Sequence, residues 1–362
     1  MRAEKITFSL IVPCHNTPEK YIRRLLNSVL PENQGIEKDQ LEVIIVDDCS
    51  DDKTYLDICH NDYDDKLNIV YVETDPEKRN GTPSFTRNTG MEYITKDWLC
   101  FCDHDDMYEA NALSILQKHI QEFNTPYAIC GNMRSWNEEE DKYVDFIHRQ
   151  AWLHGKCYNV KHLIKPYHVR FYDEIYTHED IGFNCIVQSI LYELNSDFEY
   201  IDDFLYRWIE EKSSITRSYR DKFGRDINRG YLHDNFNDYI IAAARPFFEK
   251  AKTGNWWFVN QVIMTLLHCY FYYMGAIFRE GEEMYEDNLT DIKKFYKKIV
   301  EEAEMTPYDI INFVASDERK YQIVRNDCIM HEGCFMEYAS FPDFVLYLDQ
   351  DYKENNNKQI AI

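Results

Sequence analysis

The sequence predicts an α/β protein, a mostly parallel sheet between helices followed by a helical C-terminal region. Three observations predict it. Apolar, strand-like runs alternate with helical periodicity over about the first 130 residues. Three of those runs end in polar text, "PCHN", "VDDCSDD" and "CDHDD". From about residue 225 onward the pattern changes to successive helix-like stretches. Ligands of such sheets bind beyond the carboxyl ends of the strands, so a site is expected where the three polar ends converge.

Each element follows in turn. "ITFSLIVP" (6–13) reads as the first strand. In "NTPEKYIRRLLNSVL" (16–30), Thr17 is the expected N-cap and Pro18 the first helical residue. Apolar residues at 21, 22, 25, 26, 29 and 30 give that helix one buried face. "LEVIIVDD" (41–48), "NIVYVET" (68–74) and "WLCFCD" (98–103) are further strands, with a helix predicted over 84–95. Cys100 and Cys102 alternate with Phe101 and share a strand face, which suits packing better than redox chemistry. Later, "YIIAAARPFFEKA", the stretch 253–278 and "NLTDIKKFYKKIVEEAE" read as helices, and "DQDYKENNNKQIAI" as a frayed polar tail. The expected division is 1–224, 225–345 and a tail at 346–362.

Composition narrows the function. The 362 residues carry 40 Lys+Arg against 64 Asp+Glu, a net charge of −24, which repels phosphate backbones and argues against general nucleic-acid binding. The 11 cysteines are odd in number and scattered, without a CxxC pair, as expected of reduced thiols in a cytoplasmic protein. "MRAEKITFSLIVP" starts charged and passes directly into a strand pattern, so no signal peptide is expected. Residues 253–278 contain no charge and are long enough to span a bilayer. Asn255, Asn260, Gln261, Thr265 and His268 interrupt the run, so a buried helix of a soluble domain is expected, with a membrane-associated helix as the alternative.

The chemistry centres on "FCDHDDMY" (101–108). Asp103, Asp105 and Asp106 repel one another unless a cation lies between them and a phosphorylated ligand. Mg²⁺ or Mn²⁺ suits such oxygen donors. The alternative is an acidic loop capping the helix of "MYEANALSILQKHI". "RNGTPSFTRNTG" (79–90) precedes this cluster, and "THEDIGF" (177–183) and "YRWIEEKSSIT" (206–216) follow it. No G-x-S-x-G, G-x-G-x-x-G or P-loop occurs, which disfavours serine hydrolase, dinucleotide and P-loop chemistry.

In this order and spacing the motifs resemble the family-two inverting glycosyltransferases of the GT-A fold, over about residues 6–218. The resemblance implies a loop over the nucleotide at Pro13 and Asn16, and a nucleobase contact, usually to uracil, at Asp48. It makes Arg79, Arg87 and Asn88 contacts to base, ribose or phosphate. In the DxD motif Asp103 would face ribose and metal, and Asp105 would bind the metal, Mn²⁺ or Mg²⁺, on the diphosphate. Asp180, beside Glu179, matches the general base. Arg207 with Ser213 and Ser214 completes the substrate-binding set. "WLHGKCYN" (152–159) resembles a segment lining the acceptor side and makes His154 a candidate. His15 and His178 read as neighbours of the site.

The chemistry asks for the same parts. Departure of a nucleoside diphosphate needs positive charge, and inversion needs one carboxylate to take the acceptor's proton. Asp180 is expected near a helix N-terminus, with partial burial raising its pKa; the alternative is that Glu179 and Asp180 only cap that helix. The expected function is transfer from a UDP-sugar to the hydroxyl of a glycan or other acceptor. A non-catalytic sugar- or nucleotide-binding module and a nucleotidyltransferase stay open as alternatives. So do a homo-oligomer and a membrane-surface association through the C-terminal helices.

Overall fold

The computed structural model describes residues 5–209 except 124–125, 138–139, 149–151, 174 and 176–178. Beyond these it describes 242–253, 255, 257–259, 261–262, 290, 293–294, 296–309 and 340–360. Ser213, Ser214, His178 and most of 253–278 lie outside the described residues. The chain divides into two compact units, Met1–Ile227 and Asn228–Ile362.

The first unit is built on one sheet of nine strands: β1 Phe8–Cys14, β2 Leu41–Asp47, β3 Asn68–Glu73, β4 Trp98–Phe101, β5 Met107–Tyr108, β6 Ala128–Asn137, β7 Lys142–Phe146, β8 Lys156–Asn159 and β9 Glu199–Ile209. Their spatial order is β3-β2-β1-β4-β8-β6-β9-β5, with β7 paired to β6. The strands β3, β2, β1 and β4 are mutually parallel, so the loops after β1, β2 and β4 emerge on one edge. Beyond β4 the sheet is mixed: β8 runs antiparallel to β4 and β6, while β6 and β9 are parallel.

Both faces of the parallel half are buried, which is why its strands are apolar at almost every position. Phe8, Leu10 and Val12 of β1, Val43 and Ile45 of β2, and Trp98 and Cys100 of β4 join one core cluster. Ile11, Ile44, Val46, Leu99 and Phe101 join the cluster on the opposite face. Cys102 packs with Cys100 in the first, so the two cysteines do share a face.

Helix α1 (Glu19–Ser28) buries Ile22, Leu25 and Leu26 against the first cluster, as its periodicity predicts. Its N-cap is Pro18 and not Thr17, which makes no capping hydrogen bond. The helix therefore starts one residue later than the sequence suggests, and Thr17 is buried instead. Helix α2 is Pro31–Gln34 and α3 Thr54–Asp62. Helix α4 (Pro83–Met91) has the start that sequence rules describe: Thr82 Oγ1 accepts from the Phe85 amide at 3.1 Å, and Pro83 opens the first turn. Helix α5 is Ala112–Glu122 and α6 Glu179–Glu193.

In the second unit, the helix Arg245–Ala251 buries Phe247 and Phe248. Trp257 meets the Phe247 ring edge-on, with centroids 5.8 Å apart. The segment read as a frayed tail is helical, within Ser340–Ile360. Val345 and Leu348 are buried on it, and Asp349 accepts from Tyr296 Oη at 3.1 Å and from Lys353 Nζ at 2.6 Å. Those anchors hold a polar run that composition alone reads as loose. Among the described residues no helix is long and apolar enough to cross a membrane.

Candidate functional site

The loops after β1 and β2 are stitched together first. The Asp48 amide donates to the Cys14 carbonyl at 2.8 Å, continuing the parallel pairing one step past the strand. Asn16, at φ 47°, donates its amide to Ser50 Oγ at 2.8 Å and accepts from the Asp52 amide at 3.0 Å. The Asp48 carboxylate accepts from Thr74 Oγ1 at 3.0 Å and from Arg79 Nε at 3.0 Å. Asp48 and Arg79, read from the sequence as separate contacts, are thus one pair. Pro13 meets the acidic loop directly, its carbonyl lying 3.2 Å from His104 Nδ1.

Arg87 is the centre of the arrangement. It is buried on α4 and spends one terminal nitrogen on Glu179 Oε1 and the other on Asp103 Oδ1, each at 2.7 Å. Gly90, one turn on, explains how the helix comes close enough. A Cβ there would lie 2.8 Å from Val46 Cγ2 and 2.9 Å from Ile11 Cγ2, so only glycine lets α4 settle on β1 and β2. Asn88 turns away: its side chain donates to the Phe171 carbonyl at 2.9 Å and Asp173 Oδ1 at 2.7 Å, and accepts from the Phe171 amide at 2.9 Å. It ties down the 171–173 segment and presents no free donor to a ligand.

The acidic loop 103–106 does not cap a helix. β5 separates it from α5, whose N-cap is Asn111. Tyr206 Oη on β9 donates to Asp106 Oδ2 at 2.6 Å and accepts from the Asp103 amide at 3.2 Å. The Ile209 amide adds a 2.8 Å bond to Asp106 Oδ1. Stacked on Tyr206 at 4.5 Å between centroids, His154 brings Nε2 to 3.3 Å from Asp103 Oδ2. His154 therefore belongs to the site, as does Tyr206, whose role no local pattern reveals.

The charges in this loop are unequal. Burial would push Asp103 up, but the Arg87 guanidinium and His154 outweigh it and hold the carboxyl well below the usual range. Asp105 and Asp106 go the other way. Burial raises both, and the neighbouring carboxylates raise them further. Asp105 makes no ion pair among the described residues, and its main-chain carbonyl accepts from Arg24.

A divalent cation fits this donor set. Asp103, Asp106 and His154 each offer a ligand atom within 4.8 Å of the others, with His154 Nε2 facing the Asp103 carboxylate at 3.3 Å. Asp106 already serves Tyr206 and Ile209, whereas partly exposed Asp105 beside it is uncommitted to any cation of the protein. Surplus buried carboxylate charge and oxygen donors are what Mg²⁺ or Mn²⁺ compensates.

Asp180 stands in the first turn of α6, next to Glu179. Its Oδ1 accepts from the Ile181 amide at 2.7 Å. Burial first, then the Glu179 charge, push its pKa up to about 6. Arg87 thus brings Asp103 and Glu179, with Asp180 beside it, to one place. Arg207 is not brought there through a free head group. It makes a bidentate pair with Glu109 at 2.9 and 2.6 Å, set by the β5–β9 pairing.

The parallel half of the sheet thus carries an acidic strand end, an arginine-bridged carboxylate pair and, on α6, an aspartate with a raised pKa. Residues 9–184 match the family described as Glycosyl transferase family 2. The chain is 25% identical over 239 residues to the glycosyltransferase GlyA of Streptococcus pneumoniae, covering 61% of this chain and 32% of GlyA. It is 36% identical over 118 residues to TarS of Staphylococcus aureus, a poly(ribitol-phosphate) beta-N-acetylglucosaminyltransferase, covering 33% of this chain and 19% of TarS. The chain thus spans about a third of the one relative and a fifth of the other. In structure it is similar to TarS 1-349 solved with UDP-GlcNAc, at TM-score 0.62 and 21% identity, covering 90% of this chain and 93% of that one.

Proposed function

We propose that the protein is a metal-dependent, inverting glycosyltransferase that moves a sugar from a UDP-sugar, with N-acetylglucosamine the first candidate, to an acceptor hydroxyl. The family match over residues 9–184 and the likeness to TarS solved with UDP-GlcNAc support the donor class. The single observation that carries the mechanism is Arg87, whose two 2.7 Å bonds join the acidic strand end to the helix that bears Asp180. Donor-side and acceptor-side groups are thereby held in one frame. We place the enzyme in the cytoplasm, with domains near the 1–224 and 225–345 division read from the sequence.

In this reading Asp180, pushed up to about 6, is mostly ionised at neutral pH yet basic enough to receive a proton. The acceptor O–H gives its proton to the Asp180 carboxylate, and the oxygen bonds to the anomeric carbon from the face opposite the leaving group. The carbon–phosphate oxygen bond breaks with its electron pair, and UDP departs. Asp103 and Asp105, with His154 and Asp106 adjacent, would hold a cation whose charge offsets that of the diphosphate. The Asp48–Arg79 pair would meet the base. UDP release from UDP-GlcNAc, with and without Mn²⁺, tests the proposal. Release that needs Mn²⁺ is expected; donor binding without release would make the chain a binding module, and pyrophosphate release a nucleotidyltransferase.

A further inference from the structure

Buried asparagines are rare unless their amide is fully used, and Asn184 is fully buried. It lies on α6 one turn after Asp180. Its Nδ2 donates both to the Asp180 carbonyl and to the Trp152 carbonyl, each at 3.1 Å. Its Oδ1 accepts from Tyr158 Oη on β8 at 2.9 Å. The Trp152 carbonyl also accepts from the buried Lys156 amine, so two side chains grip the peptide just before His154. Gly155, at φ +70°, then lets the chain turn back into β8. The three elements that meet at this amide carry Asp180, His154 and the strand next to β4.

From this geometry we infer that Asn184 is a positioning residue: its amide locks the first turn of α6 to the Trp152–Gly155 turn and so sets Asp180 against His154 and Asp103. An aliphatic side chain would fill the same volume but leave the two carbonyls free to drift apart. Small displacements matter here, since about 1 Å of misplacement costs on the order of a hundredfold in rate. Lys156 acts beside it on the turn alone.

The inference rests on Asp180 as the base, and the test separates the two. UDP release from UDP-GlcNAc is followed for Asn184→Ala, Asp180→Asn and the double variant, with melting temperatures. Asn184→Ala is expected to lower kcat by roughly tenfold while the donor KM stays within about twofold, because the amide touches no donor group. On the Asp180→Asn background the same change is expected to cost less than about twofold, since nothing is left to position. A full repeat of the tenfold loss there, or a normal kcat in Asn184→Ala beside an inactive Asp180→Asn, overturns the inference alone. Near-normal turnover in Asp180→Asn overturns the base reading and the inference with it. Should Asn184→Ala not fold, Tyr158→Phe removes one bond from the amide and keeps the core apolar. It is expected to lower kcat about threefold with KM held, and an unchanged kcat there overturns the inference.

Discussion

The two sides of the site balance charge in opposite ways. At the end of β2, the buried acids Asp47 and Asp48 are answered by the protein. Asp47 accepts from Tyr55 Oη at 2.6 Å and faces Lys53 at 3.2 Å, and Ser50, Tyr55 and Lys53 together outweigh burial and pull its pKa down. Asp48 is paired with Arg79. After β4 and at α6 the acids outnumber their partners: one guanidinium serves Asp103 and Glu179, while Asp105, Asp106 and Asp180 are all pushed up. A finished pair suits recognition, because it holds a fixed shape. Unfinished charge suits chemistry, because a cation or a proton has something to gain by arriving.

The contrast can be broken most severely at Asp105. Replacing Asp105 by Ala, or adding EDTA to the intact protein, is expected to abolish UDP release, and calorimetry should show Mn²⁺-dependent donor binding lost as well. Because burial and Asp103 work against an ionised Asp105, the metal-free melting temperature is expected not to fall in this variant. Next in size is Asp180→Asn, expected to cut turnover ~10²-fold or more with donor affinity unchanged. A cap alone would cost on the order of 1 kcal/mol of stability and spare the rate.

The pH dependence sharpens the same point. The proposed base works only when ionised, and its pKa is raised to about 6. The rate of UDP release should therefore be flat near neutrality and fall as pH drops through about 6, approaching tenfold per unit below it. A profile still flat at pH 5 would remove Asp180 from the mechanism. Gly90→Ala is smaller and structural: overpacking against Val46 and Ile11 should cost about 1–3 kcal/mol in denaturant titration and loosen Arg87. Smallest is Arg207→Ala, which breaks a closed pair with Glu109. It is expected to cost on the order of 1 kcal/mol and leave the donor KM unchanged.

Much of this was legible because parallel strands advertise themselves. β1, β2 and β4 are buried on both faces, so apolar runs stop where the polar loops begin, and the loops are the site. Asp48 and Asp103 sit directly after β2 and β4, Arg79 and Arg87 come after β3 in the loop and on α4, and Asp180 opens α6. What was hidden lies across long sequence separations. Tyr206 answers Asp106 from 100 residues away, and Asn88 finds Asp173 at 85. β5 has two residues, too few for any periodicity, yet its pairing with β9 sends Arg207 to Glu109. The C-terminal run looked loose because its anchors, Tyr296 and Lys353 on Asp349, involve polar side chains that carry no hydrophobic pattern.

Arg87 also ties the acidic strand end and the start of α6 into one thermodynamic unit. A single guanidinium divided between Asp103 and Glu179 cannot strengthen one contact without changing what it gives the other. By reciprocity, an occupant that alters the charge at Asp103 changes the hold on Glu179, and a group docking beside Glu179 is felt at Asp103 to the same extent. In the proposed reaction, a donor loaded at Asp103 and an acceptor docked beside Glu179 would therefore be linked through one side chain.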